Sequence, residues 1–165
     1  MKKNMFIAAS VLLSLAAIII SLMNMKNDKT IYFVNNGKLY DGFTLKINYE
    51  HQIQTLRSTR RNMLDSMELN IKQLEAKQMT EEAKYAEAYY VEKARSFEEE
   101  EENLLGEYNQ QIWKRLNSYA EEFSKEKKID ILFGATGNGT LLHADAAIDL
   151  TDELVKFANN RYAGK

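Results

Sequence analysis

The chain has 165 residues and a formal net charge of −2, with 28% charged and 45% hydrophobic residues. This balance excludes a wholly disordered protein, because there is enough apolar surface to build a core. The small net charge gives no indication of a nucleic-acid partner. Because the sequence contains no cysteine, disulfides and cysteine-based metal sites are also excluded.

The N-terminus is an export or membrane segment. Lys2 and Lys3 precede the apolar stretch Met5–Leu22, so residues 1–24 are interpreted as a cleavable secretory signal or an uncleaved anchor. As a helix the stretch would span about 27 Å, close to the hydrocarbon thickness of a bilayer. Leu22–Met25 lacks the small residues of a cleavage site, which favours an anchor in the inner membrane and export of the remaining chain. The alternative is a soluble periplasmic protein after signal cleavage.

A short linker, residues 25–29, leads to the first predicted strand. Thr30–Val34 consists of β-branched and aromatic residues and is bounded by Asn35-Asn36-Gly37, which predicts a strand. A helix is then expected to begin near Lys38 or Asp41.

The middle of the chain predicts a long helical arm over residues 38–128. Between Thr44 and Lys127 there is no proline and a single glycine, Gly106. Apolar residues recur there with heptad-like spacing, and Arg60 and Asn70 stand at the missing positions. The predicted stripe contains Ile53, Leu56, Met63, Met67 and Leu74, broadened by Leu64 and Ile71, and then Leu105, Ile112, Leu116, Tyr119 and Phe123.

The arm is expected to fold back on itself. Thr80 can cap a new helix, with Glu81 and Glu82 at its positive end. The turn is therefore placed within Lys77–Tyr85, which predicts two antiparallel helices in a coiled-coil hairpin. The alternative is one continuous helix in a parallel oligomer.

Past the arm, the sequence predicts strands and a last helix. Ile129–Phe133 and Thr140–Ala144 flank a glycine-rich segment containing Asn138-Gly139, which predicts a β-hairpin. Asp149 and Asp152 are candidate caps of a C-terminal helix. Residues 30–37 and 129–165 are thus expected to form a small β body that oligomerises, because so few residues make a marginal core alone. The fold class is α+β and mostly helical, with the hairpin arm projecting from this body.

Other patterns are better explained by structure than by chemistry. The glycines of Gly134–Thr140 lack the lysine of a phosphate loop and are interpreted as a turn. His143 and Asp145 have no further partners for a metal site, and Glu98–Glu102 is interpreted as a solvated helix face. No set of nucleophile, base and orienting group is visible, so neither an enzyme nor a cofactor is expected.

These segments resemble the OmpH/Skp family of periplasmic chaperones. The resemblance covers about Thr30–Tyr162 and is most specific at Ala144-Asp145 and Asp149-Leu150-Thr151-Asp152-Glu153, with His143 where members tend to have tyrosine. It implies a homotrimer whose strands form a small barrel and whose arms surround a cavity. Unfolded outer-membrane proteins would be held there without ATP.

On this hypothesis the arm supplies client contacts and the body supplies self-contacts. The candidate client contacts are Met63, Met67, Met79, Tyr85, Tyr89 and Tyr90, and the candidate oligomer contacts are Ile31, Phe33, Ile131, Phe133 and Leu141. The best-known members are basic, whereas this chain without Lys2 and Lys3 carries 20 basic and 24 acidic residues. Apolar contact is therefore expected to hold clients. The alternative function is a membrane-tethered coiled-coil spacer or stalk of the envelope, against which the strands after the arm argue.

Overall fold

The structure, a computed structural model, describes residues 14–21, 29–137, 139 and 141–165. Its elements are β1 (Ile31–Asn35), α1 (Asn36–Asp41), α2 (Thr44–Ala76), α3 (Thr80–Lys127), β2 (Ile131–Ala135), a 3-10 turn (Ala146–Ile148) and α4 (Thr151–Tyr162). Residues 14–21 are also helical. The predicted mostly helical fold, with a long hairpin on a small body, is confirmed.

Helices α2 and α3 form the hairpin arm and are about 50 Å and 72 Å long. They run antiparallel, because the bonding partner on α3 moves towards its N-terminus as α2 advances. Tyr49, near the start of α2, bonds Gln111, whereas the later Arg57 bonds the earlier Glu101. The alternative of one continuous helix is therefore wrong. The longer α3 continues past the start of α2 into the body.

The turn of the hairpin lies at Lys77–Met79, between the two helices. Gln78 has a φ of 60°, and its N–H donates to the Glu75 carbonyl while the Met79 N–H donates to Leu74. These two bonds form a Schellman motif, in which a left-handed residue ends a helix. The expected capping by Thr80 is wrong, because Thr80 is the first helical residue and Met79 occupies the capping position, where its side chain makes no capping hydrogen bond.

The apolar seam of the arm differs from the predicted stripe at several positions. Met63, Asn70 and Leu105 are exposed, whereas Arg60 and Leu104 are half-buried between the helices. From Ile53 to the end of α2, the residues that share this partial burial are Leu56, Arg60, Leu64, Met67, Ile71 and Leu74, with Ile53 itself buried. The seam thus has spacings of three or four residues and runs through a charged side chain, which a search for apolar residues alone passes over.

The body is built around a parallel strand pair. Ile31 pairs with Ile131 and Phe33 with Phe133, and the whole arm forms the crossover between β1 and β2. The other edge of β1 is covered, because the Leu150 N–H donates to the Phe33 carbonyl at 3.0 Å. The strands begin one or two residues later than predicted.

The predicted second strand of a β-hairpin, Thr140–Ala144, is wrong over the described residues 141–144, which are not in a strand. A strand needs a face that can be buried, and the Leu142 side chain is 91% exposed. Asn138 and Thr140, at the predicted turn, lie outside the described residues.

The core lies where the arm meets the body. Phe43, Leu116, Phe123, Leu154 and Ala158 are almost fully buried, and they come from the start of α2, the end of α3 and α4. Val34 and Leu39 join them from β1 and α1. The root of the arm is therefore the most firmly packed part of the described chain.

None of the described helices is long and apolar enough to cross a membrane. Of the predicted anchor Met5–Leu22, only residues 14–21 are described. The rest of that segment, and residues 25–28 of the linker, lie outside the described residues.

Candidate functional site

The first candidate surface is the apolar part of the arm. Among the predicted client contacts, Met63, Met79, Tyr85 and Tyr89 are exposed, and the Tyr85 side chain is 79% exposed. Tyr85 and Tyr89 stand one helical turn apart on α3 and so share one side of it. These four side chains are available to a partner.

The other two predicted client contacts belong to the inside of the arm. Met67 and Tyr90 are half-buried between α2 and α3. Their apolar surface is therefore partly used within the hairpin, and they are poorer candidates for client contact.

Sequence reasoning missed four exposed apolar side chains on the arm, Ile47, Leu69, Val91 and Leu105. Leu69 and Val91 lie off the seam, so the helical period alone could have placed them at the surface. The heptad-like spacing predicts Leu105 in the seam, whereas the structure exposes Leu105 and half-buries its neighbour Leu104.

A layer of charges crosses the seam halfway along the arm. Arg57 bonds Glu101 at 2.6 Å, and the half-buried Arg60 pairs with Glu100 and donates to the Phe97 carbonyl at 2.7 Å. The Arg60 guanidinium also lies 4.8 Å from the centre of the Phe97 ring. These contacts join the two helices at one register.

The second candidate surface is a cavity of about 330 Å³ at the root of the arm, which we call the arm-root cavity. Helices α1, α2 and α3 all contribute to it. Its lining consists of Tyr40, Lys46, Tyr49, Glu50, Ile53, Gln54, Arg57, Leu105, Tyr108, Asn109 and Ile112. Three tyrosine rings and three aliphatic side chains therefore form most of its walls.

Two of these tyrosines are held in fixed positions. The rings of Tyr49 and Tyr108 stack with centroids 3.8 Å apart and an interplanar angle of 5°. The Tyr49 hydroxyl donates to Gln111, and the Tyr108 hydroxyl donates to Gln52. Both bonds cross between α2 and α3, so the rings also tie the two helices together.

The charges around the arm-root cavity are paired with one another. Lys46 lies 2.8 Å from Glu50 and 3.3 Å from Asp41, and the hydrogen bond with Glu50 raises the pKa of the Lys46 ammonium. The hydrogen bond from Arg57 lowers the pKa of the Glu101 carboxyl. Both cations of the cavity lining therefore stay charged at neutral pH and are neutralised by neighbouring carboxylates.

Comparison with known proteins assigns the family. The family model described as outer membrane protein (OmpH-like) matches residues 30–157, which is most of the chain. The chain belongs to the OmpH-like family.

A solved structure has the same fold as this OmpH-like chain. It is described as a candidate outer membrane chaperone (OmpH-like) from Caulobacter crescentus CB15, and it is 16% identical with a TM-score of 0.62. The match covers 81% of this chain and 85% of the other. A comparison with curated proteins finds no match.

The third candidate surface of the OmpH-like chain is the outer face of its strand pair. Ile31, Phe33, Ile131 and Phe133 stand at alternate positions and so share the face opposite to the one on which Val34 is buried. Phe133 is 53% exposed. The structure thus brings four of the five predicted oligomer residues onto one accessible face, while Leu141 lies in the segment before the 3-10 turn.

The predicted helix caps are close to the start of α4. Asp149 accepts hydrogen bonds from both the N–H and the hydroxyl of Thr151, although Leu150 occupies the capping position itself. The Asp152 side chain is exposed in the first turn. Both negatively charged carboxylates interact favourably with the positive N-terminal end of the helix dipole.

The OmpH-like chain shows no cluster of metal-binding groups where it is described. Within those residues, no three His, Asp or Glu side chains come close enough together to hold a metal ion. Asp145 accepts from the Ala147 N–H and so stabilises the 3-10 turn beside His143. Glu98–Glu102 supplies the partners of Arg57, Arg60 and Arg95.

Proposed function

We propose that this protein is an ATP-independent holdase chaperone of the periplasm that binds unfolded outer-membrane proteins. The observation that carries this proposal is a long arm with exposed methionine and tyrosine side chains, in a chain of the OmpH-like family. Methionine and tyrosine offer adaptable apolar contacts, which suit a partner without one fixed shape. The similar solved structure is itself described as a candidate outer membrane chaperone, which agrees with this function.

Apolar contact rather than ionic attraction would hold the client. Many charges of the arm pair with each other, as in Arg57–Glu101 between the helices and Lys72–Glu68 within α2. Paired charges attract a third partner weakly, particularly at physiological salt. The client would therefore be held by many weak contacts with side chains such as Tyr85 and Tyr89.

We also propose that the protein is a homotrimer that assembles through its body. The outer face of the strand pair is apolar and includes the exposed Phe133. The small body would gain a larger core by burying this face against other copies. Three arms would then project from one assembled body.

The apolar segment Met5–Leu22 would tether the protein to the inner membrane. This proposal rests on the sequence alone. The basic N-terminal flank of the stretch favours the cytoplasm for that end, which would leave the remaining chain on the periplasmic side. Identification of the N-terminal residue and of the membrane or soluble fraction of the mature protein tests it. A new N-terminus near Met25 in the soluble fraction would contradict the tether.

The test of the holdase function is aggregation of a client on dilution from urea. The mature protein, purified from the envelope of cells that express the full chain, should keep an unfolded outer-membrane β-barrel soluble at a several-fold molar excess. Because the contacts are apolar, suppression should change little between about 0.05 and 0.5 M salt. No suppression at that excess would contradict the proposal and favour the structural spacer.

A pair of double variants tests the surface. Tyr85→Ser with Tyr89→Ser removes two exposed rings from α3 and should weaken suppression several-fold. Glu87→Ser with Glu92→Ser, at exposed positions of the same helix, is the matched control and should leave suppression unchanged. Equal loss in both double variants would show that the two rings are not a client surface.

A further inference from the structure

We propose that the arm-root cavity binds an aromatic side chain from an extended, uncharged stretch of client polypeptide. This inference rests on the proposed holdase function and adds a defined subsite to it. The site lies at the root of the arm, whereas the exposed Tyr85 and Tyr89 lie near its tip.

The size and walls of the arm-root cavity fit an aromatic ring. An apolar cavity of about 150 Å³ binds benzene in a protein core, and this cavity has about 330 Å³. Its most buried lining residues are Ile53 and Ile112, which are 4% and 2% exposed. Tyr40 and the Tyr49–Tyr108 stack offer further rings, against which an added ring can lie edge-to-face or offset.

The charges of the arm-root cavity select against an ionic ligand. Lys46 is paired with Asp41 and Glu50, and Arg57 is paired with Glu101. A charged ligand would have to displace one of these partners, whereas a neutral ring leaves every pair intact. Partial burial also raises the pKa of the Tyr40 hydroxyl, so this wall of the cavity is a neutral phenol at neutral pH.

A second cavity along the arm indicates a polypeptide rather than a free small molecule. Its apolar lining is Leu64, Tyr90, Ala94 and Phe97, and the rest of its lining is charged: Arg57, Arg60, Arg61, Asp65, Glu98 and Glu101. Arg57 lines both cavities and so marks their boundary. From Ile53 to Leu64 the helix rises about 16 Å. Alternate residues of an extended chain are about 7 Å apart. Side chains four residues apart on one strand are therefore about 14 Å apart, which is close to the rise between Ile53 and Leu64.

The proposed clients carry side chains of the right kind. Strands of outer-membrane barrels alternate apolar and polar residues and carry aromatic girdles at both membrane interfaces. Such a strand, before it folds, presents rings on one face without charges between them. The arm-root cavity and its neighbour would receive that face.

A peptide with phenylalanine at alternate positions among threonine and glutamine is the probe, and the same peptide with alanine at those positions is its control. Trp113, the single tryptophan, lies outside the cavity lining, but its ring centre is 5.4 Å from that of Tyr40, which is a wall of the cavity, so its emission reports on changes at that wall. With the mature protein, the phenylalanine peptide should shift this emission and bind at least about tenfold more tightly than the alanine peptide. Equal binding of the two peptides would overturn the proposal.

Two matched variants locate the site. Leu105→Arg places a charge at the wall of the cavity and should weaken binding of the phenylalanine peptide about tenfold or more. Gln73→Arg places the same charge at an exposed polar position of α2 outside this cavity and should alter binding less than about twofold. Circular dichroism of both variants establishes that the hairpin is folded.

Unchanged peptide binding in Leu105→Arg would overturn the subsite. If the same protein still suppresses client aggregation, the holdase function stands and only the subsite is wrong. If the unmodified protein does not suppress client aggregation, the proposed holdase function itself is wrong.

Discussion

The Asn159 side chain caps the helix that begins at Thr44. The Asn159 carbonyl oxygen accepts from the Thr44 N–H at 2.8 Å and from its hydroxyl at 2.9 Å, and the amide nitrogen donates to the Gly42 carbonyl at 2.9 Å. A residue of α4 thus supplies the cap that Phe43, at the capping position of α2, cannot supply. These bonds hold the C-terminal helix against the root of the arm.

Asn159→Ala should lower the free energy of unfolding by about 1 to 3 kcal/mol, because it leaves the half-buried Thr44 N–H and Gly42 carbonyl without partners. Urea unfolding followed by circular dichroism measures this change. The matched control is Asn160→Ala, at the exposed neighbouring position, for which we expect a change below about 0.5 kcal/mol. Equal effects at the two positions would mean that the cap contributes nothing specific.

Arg60→Ala should destabilise the arm by about 1 to 2 kcal/mol. The variant loses the hydrogen bond to the Phe97 carbonyl, the contact of the guanidinium with the Phe97 ring and the packing of the arginine stem in the seam. Arg61→Ala, at the exposed position beside it, serves as the control and should change stability by less than about 0.5 kcal/mol. Thermal and urea unfolding of the two variants decide whether Arg60 is a seam residue or a surface charge.

Gln78→Gly should stabilise the protein by about 0.5 to 1 kcal/mol. Gln78 adopts a φ of 60°, which glycine adopts without the steric cost that a side chain brings. Gln73→Gly, inside α2, should have the opposite sign and destabilise by about 1 kcal/mol. A decrease in unfolding free energy for Gln78→Gly would argue against the turn at Lys77–Met79.

Phe133→Asp should dissociate the proposed trimer. The side chain lies on the outer face of the strand pair and is 53% exposed in the single chain, so burial of a carboxylate in an interface there would be costly. The mass of the mature protein measured by light scattering should fall from three times the mass of one chain to the mass of a single chain. Leu69→Asp, on the arm, should leave the mass unchanged, and an unchanged mass for Phe133→Asp would exclude this face as the interface.

A carboxylate next to the strand pair should make the free energy of unfolding depend on pH in the acid range. The Asp130 carboxylate accepts hydrogen bonds from the N–H and the hydroxyl of Thr30, and these lower the pKa of Asp130. A group with a lowered folded pKa contributes its stability above the unfolded pKa, near 4, and that stability is lost as the pH falls through the folded pKa. Unfolding midpoints measured from about pH 6 down to about pH 2 should therefore fall less steeply in Asp130→Asn than in the unmodified protein.

Much of the arm was predictable because its signals are local. The chain from Thr44 to Lys127 lacks proline and repeats its apolar residues with a helical period, so the long helices and an approximate turn follow from nearby residues. The seam was predicted less well. The spacing puts Arg60 and Asn70 alike at seam positions, and only the contacts of Arg60 across the hairpin with Phe97 and Glu100 distinguish it from the exposed Asn70.

The body and the arm-root cavity depended on contacts between distant residues. Asn138-Gly139 is a local hairpin signal, yet β2 pairs with β1, about a hundred residues earlier in the chain. The stack of Tyr49 on Tyr108 likewise joins residues whose proximity follows only from the register of the hairpin. No period or composition of the sequence encodes such a register.

The sequence by itself determined the long proline-free arm, its return to a small body and the resemblance to a chaperone family. These depend on helix breakers, apolar spacing and short motifs, which act between neighbouring residues. Tertiary structure alone decided which side chains form the seam, that Asn159 caps the helix beginning at Thr44, and that a ring-lined cavity lies at the arm root. Those features arise when two helices pack at one register, because burial and hydrogen bonding are then set by residues far apart in the chain.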